Sequence, residues 1–253
     1  MRFMKSAVAA LGLTIVAVTA STSLTAQASI ANPVSGTDFR TLDHAQPVEP
    51  SGKVEVIEFF MYTCPHCNAF DPALSDWVKA QGANIVFKRV PLAFHPEQEV
   101  HQKLYYALEA LGKNEELHKR IFHAIHVEHH MLRDEAEIAD FAAAQGIDRA
   151  KFVSAFESFS VQTKVRQAQQ LAQAYQVDGV PLLAIDGRYE TSPSVVQDSV
   201  GDKPEQELFG AALKVADWLV ARAAKEHKPA AAASVAPAAA PAAAKKAAST
   251  TKK

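Results

Sequence analysis

The stretch EFFMYTCPHCNAF, residues 58–70, contains the only two cysteines of the 253-residue chain. These are Cys64 and Cys67, with Pro65 and His66 between them. A CxxC pair can form a structural disulfide, contribute half of a metal site or act as a reactive dithiol. The surrounding residues bear on which of the three applies.

The segments around the cysteine pair predict a strand, a helix and a second strand. Residues 53–62 (KVEVIEFFMY) are rich in Val, Ile, Phe and Tyr, which is typical of a buried strand. Residues 64–81 carry apolar side chains at helical spacing, with a proline early and Gly82 as the stop. Residues 84–90 (NIVFKRV) predict another strand. The three elements make a βαβ unit, so we expect the two strands to be parallel.

The following segment is helical throughout. Its predicted helices are 97–111, 114–127, 134–145 and 148–175, the last broken near Ser158. A strand at 182–185, a turn at Asp186–Gly187, a strand at 188–191 and a helix at about 204–225 complete the pattern. The sequence therefore predicts an α/β fold with an inserted block of about eighty helical residues.

Neither end of the chain is predicted to belong to the fold. Residues 1–28 have two basic residues, an apolar run and the small-residue pattern AQA, which together indicate a cleaved secretory signal peptide. We therefore expect a soluble mature chain, in a compartment that permits disulfides. Residues 228–253 are almost entirely Ala, Pro, Lys, Ser and Thr, and we expect a disordered tail there.

The charge of the folded part argues against a nucleic-acid partner. The whole chain has 26 basic and 28 acidic residues. Two basic residues lie in 1–28 and five lysines in 228–253, so residues 29–227 keep 19 basic against 28 acidic residues, a net charge of −9. Nucleic-acid-binding surfaces are basic instead. The basic tail is interpreted as a solubilising spacer, and contact with anionic membrane surfaces is the alternative.

Spacing weakens the structural-disulfide interpretation, and missing ligands weaken the metal interpretation. Closing a four-residue loop removes only about 1.9 kcal/mol of unfolded-state entropy, against about 4.7 for a hundred-residue loop. A metal site needs two more ligands. The histidine-rich residues 118–130 (HKRIFHAIHVEHH) offer candidates, but neighbouring helical histidines usually form a solvated face.

The reactive-dithiol interpretation accounts for the most features. Cys64 stands where the helix begins, beside unpaired N–H groups and the positive end of the helix dipole. This position favours the thiolate, with help from His66, whereas Cys67 should be more buried. Because a thiolate exists only in the reduced form, stabilising it makes the disulfide a stronger oxidant.

Glu58 is a second candidate for chemistry. Strand alternation places this carboxylate in a row with Val54, Val56 and Phe60. Burial would raise its pKa and, if it lies under Cys67, would let it relay the proton of that thiol. The pattern leaves equally open an edge position exposed to water.

These residues resemble the DsbA family of periplasmic thiol-disulfide oxidoreductases. The resemblance rests on Glu58-Phe59-Phe60, on CPHC at a helix start and on Gly179-Val180-Pro181 before the returning strand. It implies a thioredoxin fold formed by residues 29–95 and 176–227, with an inserted all-helical domain at 96–175.

The resemblance also implies roles for individual residues. Cys64 would be the exposed nucleophile and Cys67 the buried resolving thiol. The loop at Val180 and Pro181 would contain a cis-proline that faces the disulfide and holds the substrate backbone. Lys88 would be the partner of the buried acid. The full set of expected site residues is Cys64, Cys67, His66, Pro65, Glu58 and Lys88, with Val180 and Pro181 for substrate.

The expected function is that of a periplasmic protein disulfide oxidase. It would need no cofactor other than a Cys64–Cys67 disulfide, and no metal. Its expected partners are unfolded secreted proteins with reduced cysteines and a DsbB-type, quinone-linked oxidase of the inner membrane; the protein is expected to be a monomer. A disulfide isomerase or reductase, and a metal carrier using Cys64, Cys67 and His66, remain alternatives.

Overall fold

A five-stranded mixed sheet forms the centre of the computed structural model, which describes residues 30–49 and 51–233. The spatial order of its strands is β1-β5-β4-β2-β3. Their bounds are β1 Arg40–Thr41, β2 Val54–Phe60, β3 Ile85–Pro91, β4 Leu182–Ile185 and β5 Tyr189–Thr191.

The pairing of the strands confirms the predicted βαβ unit. Strands β2 and β3 are parallel, with Val54 opposite Ile85 and Glu58 opposite Arg89. Strand β4 runs antiparallel to β2 on its other side, which makes β2 a central strand. The two-residue strand β1 pairs with β5 and was not predicted, because so short a segment carries no periodic pattern.

Eight α-helices follow β2 in the described residues. They are α1 Pro65–Gln81, α2 Glu99–Ala110, α3 Asn114–His126, α4 Glu135–Ala144, α5 Arg149–Phe156, α6 Phe159–Ala174, α7 Pro193–Val200 and α8 Glu205–Ala233. Helices α2 to α6 all lie between β3 and β4, as the inserted block predicted. The α/β fold with an all-helical insertion is therefore confirmed, and α7 is the α-helix that the sequence did not predict.

Side-chain caps explain where several of these helices begin. The side chains of Asp134, Asp148 and Ser158 accept hydrogen bonds from the backbone N–H three residues on, at the starts of α4, α5 and α6. Ser158 separates α5 from α6, which confirms the predicted break. Gly82 ends α1 with a φ of 52°, a conformation that favours glycine.

Two apolar cores lie against the sheet. One joins it to the helical insertion and includes Phe59, Phe60, Leu104, Leu108, Ile121 and Phe152. The second packs the sheet against α1, α7 and α8 and includes Val54, Val56, Phe70, Leu74, Phe209 and Leu219. Every residue of β2 is buried, since this strand is paired on both sides and covered on both faces.

The end of the last helix differs from the prediction. Helix α8 continues to Ala233, whereas the sequence predicted a helix to about Lys225 and a disordered tail from residue 228. The difference has a physical reason, because alanine has the highest helix propensity of all residues and the added turns are rich in it. The predicted signal peptide, 1–28, and the rest of the predicted tail, 234–253, lie outside the described residues. Within the described part, none of the helices is both long and apolar enough to span a membrane.

Candidate active site

Cys64 caps the first turn of α1. Its φ and ψ of −81° and 118° are those of an N-cap residue, and Pro65 follows in the first helical position. The Cys64 Sγ accepts a hydrogen bond from the backbone N–H of Cys67 at 3.3 Å. The helix start thus supplies a hydrogen-bond donor to the sulfur, and this donor stabilises the thiolate form of Cys64.

The two thiols have opposite ionisation properties. A hydrogen bond from the Cys67 side chain, backbone N–H groups of Cys67 and His66, and the charge of His66 together lower the pKa of Cys64 to about 6, despite opposing burial. Burial and the neighbouring Cys64 raise the pKa of Cys67 well above its ordinary value. Both are free thiols and both are buried. The expected exposure of Cys64 is therefore wrong, because the Val180 carbonyl lies against its sulfur; it is 7% exposed, against 0% for Cys67. At pH 7 the reduced pair therefore holds one thiolate, on Cys64.

The loop before β4 faces this sulfur. The Val180–Pro181 peptide bond is cis, which confirms the expected isomer. The carbonyl oxygen of Val180 lies 3.6 Å from the Cys64 Sγ, while Pro181 is buried. The backbone of Val180 therefore lies next to the reactive sulfur.

His66 is held by a residue that the sequence did not indicate. Its imidazole is exposed, and its Nδ1 lies 2.5 Å from Oε1 of Glu205, the first residue of α8. This hydrogen bond and the charge of Glu205 raise the pKa of His66. A cationic imidazole close to Cys64 is thereby favoured.

Glu58 is buried, which excludes the water-exposed edge position. Its relative exposure is 1%, in the middle of the central strand β2. Burial raises the pKa of Glu58 to about 7, although Arg89 opposes this shift. The carboxyl is therefore close to half protonated at neutral pH, and its charge also contributes to the raised pKa of Cys67.

The expected pairing of Glu58 with Lys88 is wrong. The Lys88 Nζ lies 2.8 Å from Glu55 Oε2 and 3.2 Å from Glu49 Oε1. Glu58 is paired with Arg89, whose Nε donates to Glu58 Oε2 at 2.9 Å. The reason is strand alternation, because β2 and β3 place Arg89 directly opposite Glu58, so their side chains share a face and that of Lys88 points to the other.

Arg89 is the centre of a buried polar network. Its Nη2 lies 3.2 Å from Asp71 Oδ1 on α1 and 3.4 Å from Ser75 Oγ. The Nε2 atom of His118, a residue of α3, lies 3.3 Å from the same oxygen of Asp71. The network therefore connects the two parallel strands, β2 and β3, with α1 and the helical insertion.

His118 and His126 hold the turn that leads into the cysteine motif. The Nδ1 of His118 lies 3.0 Å from the hydroxyl of Tyr62, and His126 Nε2 lies 2.8 Å from the Tyr62 carbonyl oxygen. Burial lowers the pKa of His118, which favours the neutral ring. Since Nε2 faces the Asp71 carboxylate, the proton is favoured there and Nδ1 is left to accept from the hydroxyl. Tyr62 precedes Cys64 by two residues, so helix α3 helps to position the reactive sulfur.

The histidine-rich stretch, residues 118–130, is thus not one solvated face. His118 is buried and His126 half-buried, whereas His123, His129 and His130 are exposed. Across the described part of the chain, no three His, Cys, Asp or Glu side chains are grouped so as to hold a metal ion.

Four residues of the site were missed by sequence analysis. Arg89 could have been found from strand alternation, had the register between the two strands been known. Asp71 lies on α1 and His118 in the histidine-rich stretch, and nothing in their spacing links them. Glu205 follows His66 by 139 residues and gives no local signal.

The fold and the site together define a class of protein. A mixed sheet with a CxxC pair at the start of its first helix, and a cis-proline loop against the first cysteine, is the arrangement of thioredoxin-fold dithiol proteins. The helical insertion between β3 and β4 distinguishes one branch of that class.

Comparison with known proteins identifies the branch. A family model described as the DSBA-like thioredoxin domain matches residues 55–208. The chain is 49% identical over 177 residues to the thiol:disulfide interchange protein DsbA of Burkholderia cepacia, covering 70% of this chain and 84% of the relative. It is 38% identical over 185 residues to the DsbA of Pseudomonas aeruginosa, covering 73% and 83%. The chain belongs to the DsbA family.

Solved structures agree with this assignment. The crystal structure of Pseudomonas aeruginosa DsbA superimposes with a TM-score of 0.67 at 36% identity, covering 79% of this chain and 96% of that one. The oxidoreductase DsbA from Xylella fastidiosa gives a TM-score of 0.66 at 30% identity, covering 75% and 97%. The protein is a thiol:disulfide oxidoreductase with the thioredoxin fold and a helical insertion.

Proposed function

We propose that the protein works as a disulfide donor, with a Cys64–Cys67 disulfide as its redox-active group and no other cofactor. The observation that carries this direction is the placement of Cys64 at the helix start, where its sulfur accepts the Cys67 N–H at 3.3 Å. Interactions that stabilise the Cys64 thiolate act only on the reduced form. They therefore favour the transfer of the disulfide to a substrate.

Oxidation of a substrate then takes two exchange steps. A substrate thiolate attacks the Sγ of Cys64, the Cys64–Cys67 bond breaks, and its electron pair goes to the Cys67 sulfur. The substrate's second thiolate next attacks its own sulfur in the mixed disulfide, and Cys64 leaves as a thiolate. The substrate loses two electrons and two protons, and the protein ends as the dithiol.

Glu58 provides the proton for the first step. The Cys67 thiolate is a poor leaving group because its burial disfavours charge, so transfer of a proton to it assists bond cleavage. A carboxyl with a pKa of about 7 can supply that proton at neutral pH. Arg89, whose Nε donates to Glu58 Oε2, fixes the orientation of the carboxyl.

Substrate binding is assigned to the loop at Val180 and Pro181. The loop lies against Cys64 through the Val180 carbonyl, so an extended substrate segment held there would have its cysteine close to the reactive sulfur. Backbone contacts of this kind do not depend on side-chain identity. They suit unfolded secreted proteins with reduced cysteines, which form a varied set.

The proposal includes a compartment and a second partner. The predicted secretory signal at 1–28 supports export to the periplasm, where disulfides persist. Each turnover leaves the dithiol, so an oxidant has to restore the disulfide. We assign that step to a DsbB-type, quinone-linked membrane oxidase, and the protein acts as a monomer.

The redox equilibrium tests the direction of transfer. The purified protein is equilibrated in a series of glutathione buffers, free thiols are trapped by alkylation, and the reduced fraction is read by mass. We expect the pair to stay reduced until the buffer is strongly oxidising. A pair that stays oxidised in strongly reducing buffer would instead identify a reductase or a structural disulfide.

Trapping of the mixed disulfide tests the roles of the two cysteines. In Cys67→Ser the Cys64 thiolate can attack the disulfide of an oxidised secreted protein, whose other sulfur leaves as a thiolate. No second active-site thiol is present to release the substrate, so mixed disulfides at Cys64 should accumulate. The matched variant Cys64→Ser removes the nucleophile and should yield none. Equal trapping by both variants would contradict the assignment.

A further inference from the structure

We propose that Glu205 is a positioning residue for the redox reaction, which fixes His66 beside the Cys64 sulfur and thereby increases the oxidising power of the pair. This inference rests on the proposed function and deepens it. It assigns a task at the active site to the N-terminal end of α8, an element that follows the cysteine motif by nearly 140 residues.

The geometry places the two side chains in direct contact. His66 Nδ1 and Glu205 Oε1 are 2.5 Å apart, the distance of a short charge-assisted hydrogen bond. The side chain of His66 is 69% exposed and that of Glu205 42% exposed. Without a partner, so exposed an imidazole would be free to adopt several rotamers, because most of its surface is open to water.

The contact has an electrostatic consequence. The carboxylate of Glu205 and, more weakly, the Cys64 sulfur are the acidic groups that act on His66, and both favour its protonated form. Protonated His66 in turn favours the Cys64 thiolate. The three groups therefore form a chain of alternating charges, carboxylate, imidazolium and thiolate, which is complete only when the pair is reduced.

Loss of the Glu205 carboxylate should destabilise the reduced form of the protein relative to the disulfide form. In Glu205→Gln the amide no longer favours the cation, so the pKa of His66 falls and less positive charge faces the sulfur. The reduced form loses stabilisation while the disulfide form is unaffected. The variant should therefore be a weaker oxidant than the wild type.

A matched control stands on the same helix turn. Glu207 lies two residues after Glu205, is exposed and carries the same charge near the same helix end. Glu207→Gln changes the net charge and the helix-end charge in the same way, but not the contact with His66. Any general effect of charge removal should appear in both variants.

The experiment measures the equilibrium constant with glutathione for the full-length wild type, Glu205→Gln and Glu207→Gln at pH 7 and low salt. We expect Glu205→Gln to lower the constant for reduction by glutathione by about 1.4- to 5-fold, the range given by exposed charge pairs worth about 0.2–1 kcal/mol. Glu207→Gln should leave it unchanged. In 1 M salt, where the screening length falls to about 3 Å, the difference should shrink to less than half.

Two further measurements separate positioning from a purely structural effect. An NMR titration should show a lower pKa of His66 in Glu205→Gln than in Glu207→Gln. In a His66→Ala background, Glu205→Gln should no longer alter the equilibrium constant. Equal constants for the two glutamate variants, an unchanged His66 titration, or a full effect without His66 would each overturn the proposal.

The two proposals fail in different ways. A wild-type pair that is a weak oxidant would contradict the proposed function, whatever the variants do. The role of Glu205 is read from differences between variants of the same protein. A strong oxidant whose equilibrium does not respond to Glu205→Gln would retain the function and remove this inference.

Discussion

At the scale of single residues, the chemistry depends on two acids that are shifted in opposite directions. Helix-start donors lower the pKa of the Cys64 thiol, and burial raises that of the Glu58 carboxyl. The values, about 6 and about 7, place both groups close to neutral pH. One can therefore attack or leave as an anion while the other supplies a proton.

Replacing Glu58 by glutamine should change how stability depends on pH. A buried carboxyl with a raised pKa binds its proton more tightly in the folded state, so folding stability falls as pH rises from about 4.5 to about 7, by at most about 3 kcal/mol. Glu58→Gln has no such proton. Urea unfolding of the reduced protein across this range should give a flatter profile for the variant, and parallel profiles would contradict the assigned shift.

At the scale of elements, the N-cap residues show most directly how the sequence determines where a helix begins. The same capping geometry that begins α6 at Ser158 begins α1 at Cys64, with a sulfur in place of a hydroxyl. In α6 the cap only stabilises the helix, whereas in α1 it sets the chemistry. Both helices begin with the same cap geometry, and the capping atom, sulfur or oxygen, determines whether the helix start also takes part in redox chemistry.

The cap at Ser158 gives a prediction at this scale. Its Oγ accepts the N–H of Val161 at 3.2 Å, and Ser158→Ala should cost about 1 kcal/mol of unfolding free energy by removing that acceptor. Ser160, exposed inside the first turn of α6, offers the matched control Ser160→Ala. A shift of the urea midpoint in the control equal to that in Ser158→Ala would show that the cap adds no stability.

At the scale of the whole molecule, one guanidinium joins the sheet, α1 and the helical insertion. Arg89 lies between Glu58 and Asp71, and Asp71 in turn contacts His118 of α3. All four side chains are at most 7% exposed. Such a network is stable only while every charge keeps its partner.

Removal of Arg89 should therefore be costly. Arg89→Leu leaves two buried carboxylates without their cation, and we expect a loss of about 3–5 kcal/mol at pH 8. The loss should be smaller at pH 5, where Glu58 is protonated. Lys88→Leu, on the opposite face of the same strand, should cost less, because Lys88 is 36% exposed and its loss leaves one buried carboxylate, that of Glu55. Equal costs by urea unfolding would contradict the network.

The redox state should also affect the stability of the whole molecule. The pKa of Cys64 is lowered from 9.0 to about 6, so the folded dithiol binds fewer protons than the unfolded chain between these values. Stability of the reduced protein should rise with pH from about 6 to 9, and be lost as pH falls through 6, by an amount on the order of 1 kcal/mol at pH 7. The oxidised protein has no such thiol. Thermal unfolding of both forms at pH 5.5 and 8 should therefore show that the stability of the reduced form relative to the oxidised form increases with pH. A difference in stability that does not change with pH would contradict the lowered pKa.

The sequence by itself determined the local features of this protein. The apolar run of β2, the proline after Cys64, the capping residues and the glycine stops are properties of neighbouring residues. They were sufficient for the βαβ unit, the helical insertion, the break at Ser158 and the reactive cysteine pair. The family resemblance added the cis-proline loop, a contact between residues 116 positions apart.

Only the tertiary structure determined which side chains form the ion pairs and hydrogen bonds of the site. The strand register makes Arg89, and not Lys88, the ion-pair partner of Glu58, because a shift of one residue turns a side chain to the other face of the sheet. Packing of α3 onto α1 brought His118 to Asp71, and packing of α8 against α1 and the sheet brought Glu205 to His66. Charges and hydrogen bonds act over a few ångströms in space, so partners distant in sequence are determined only when the chain has folded.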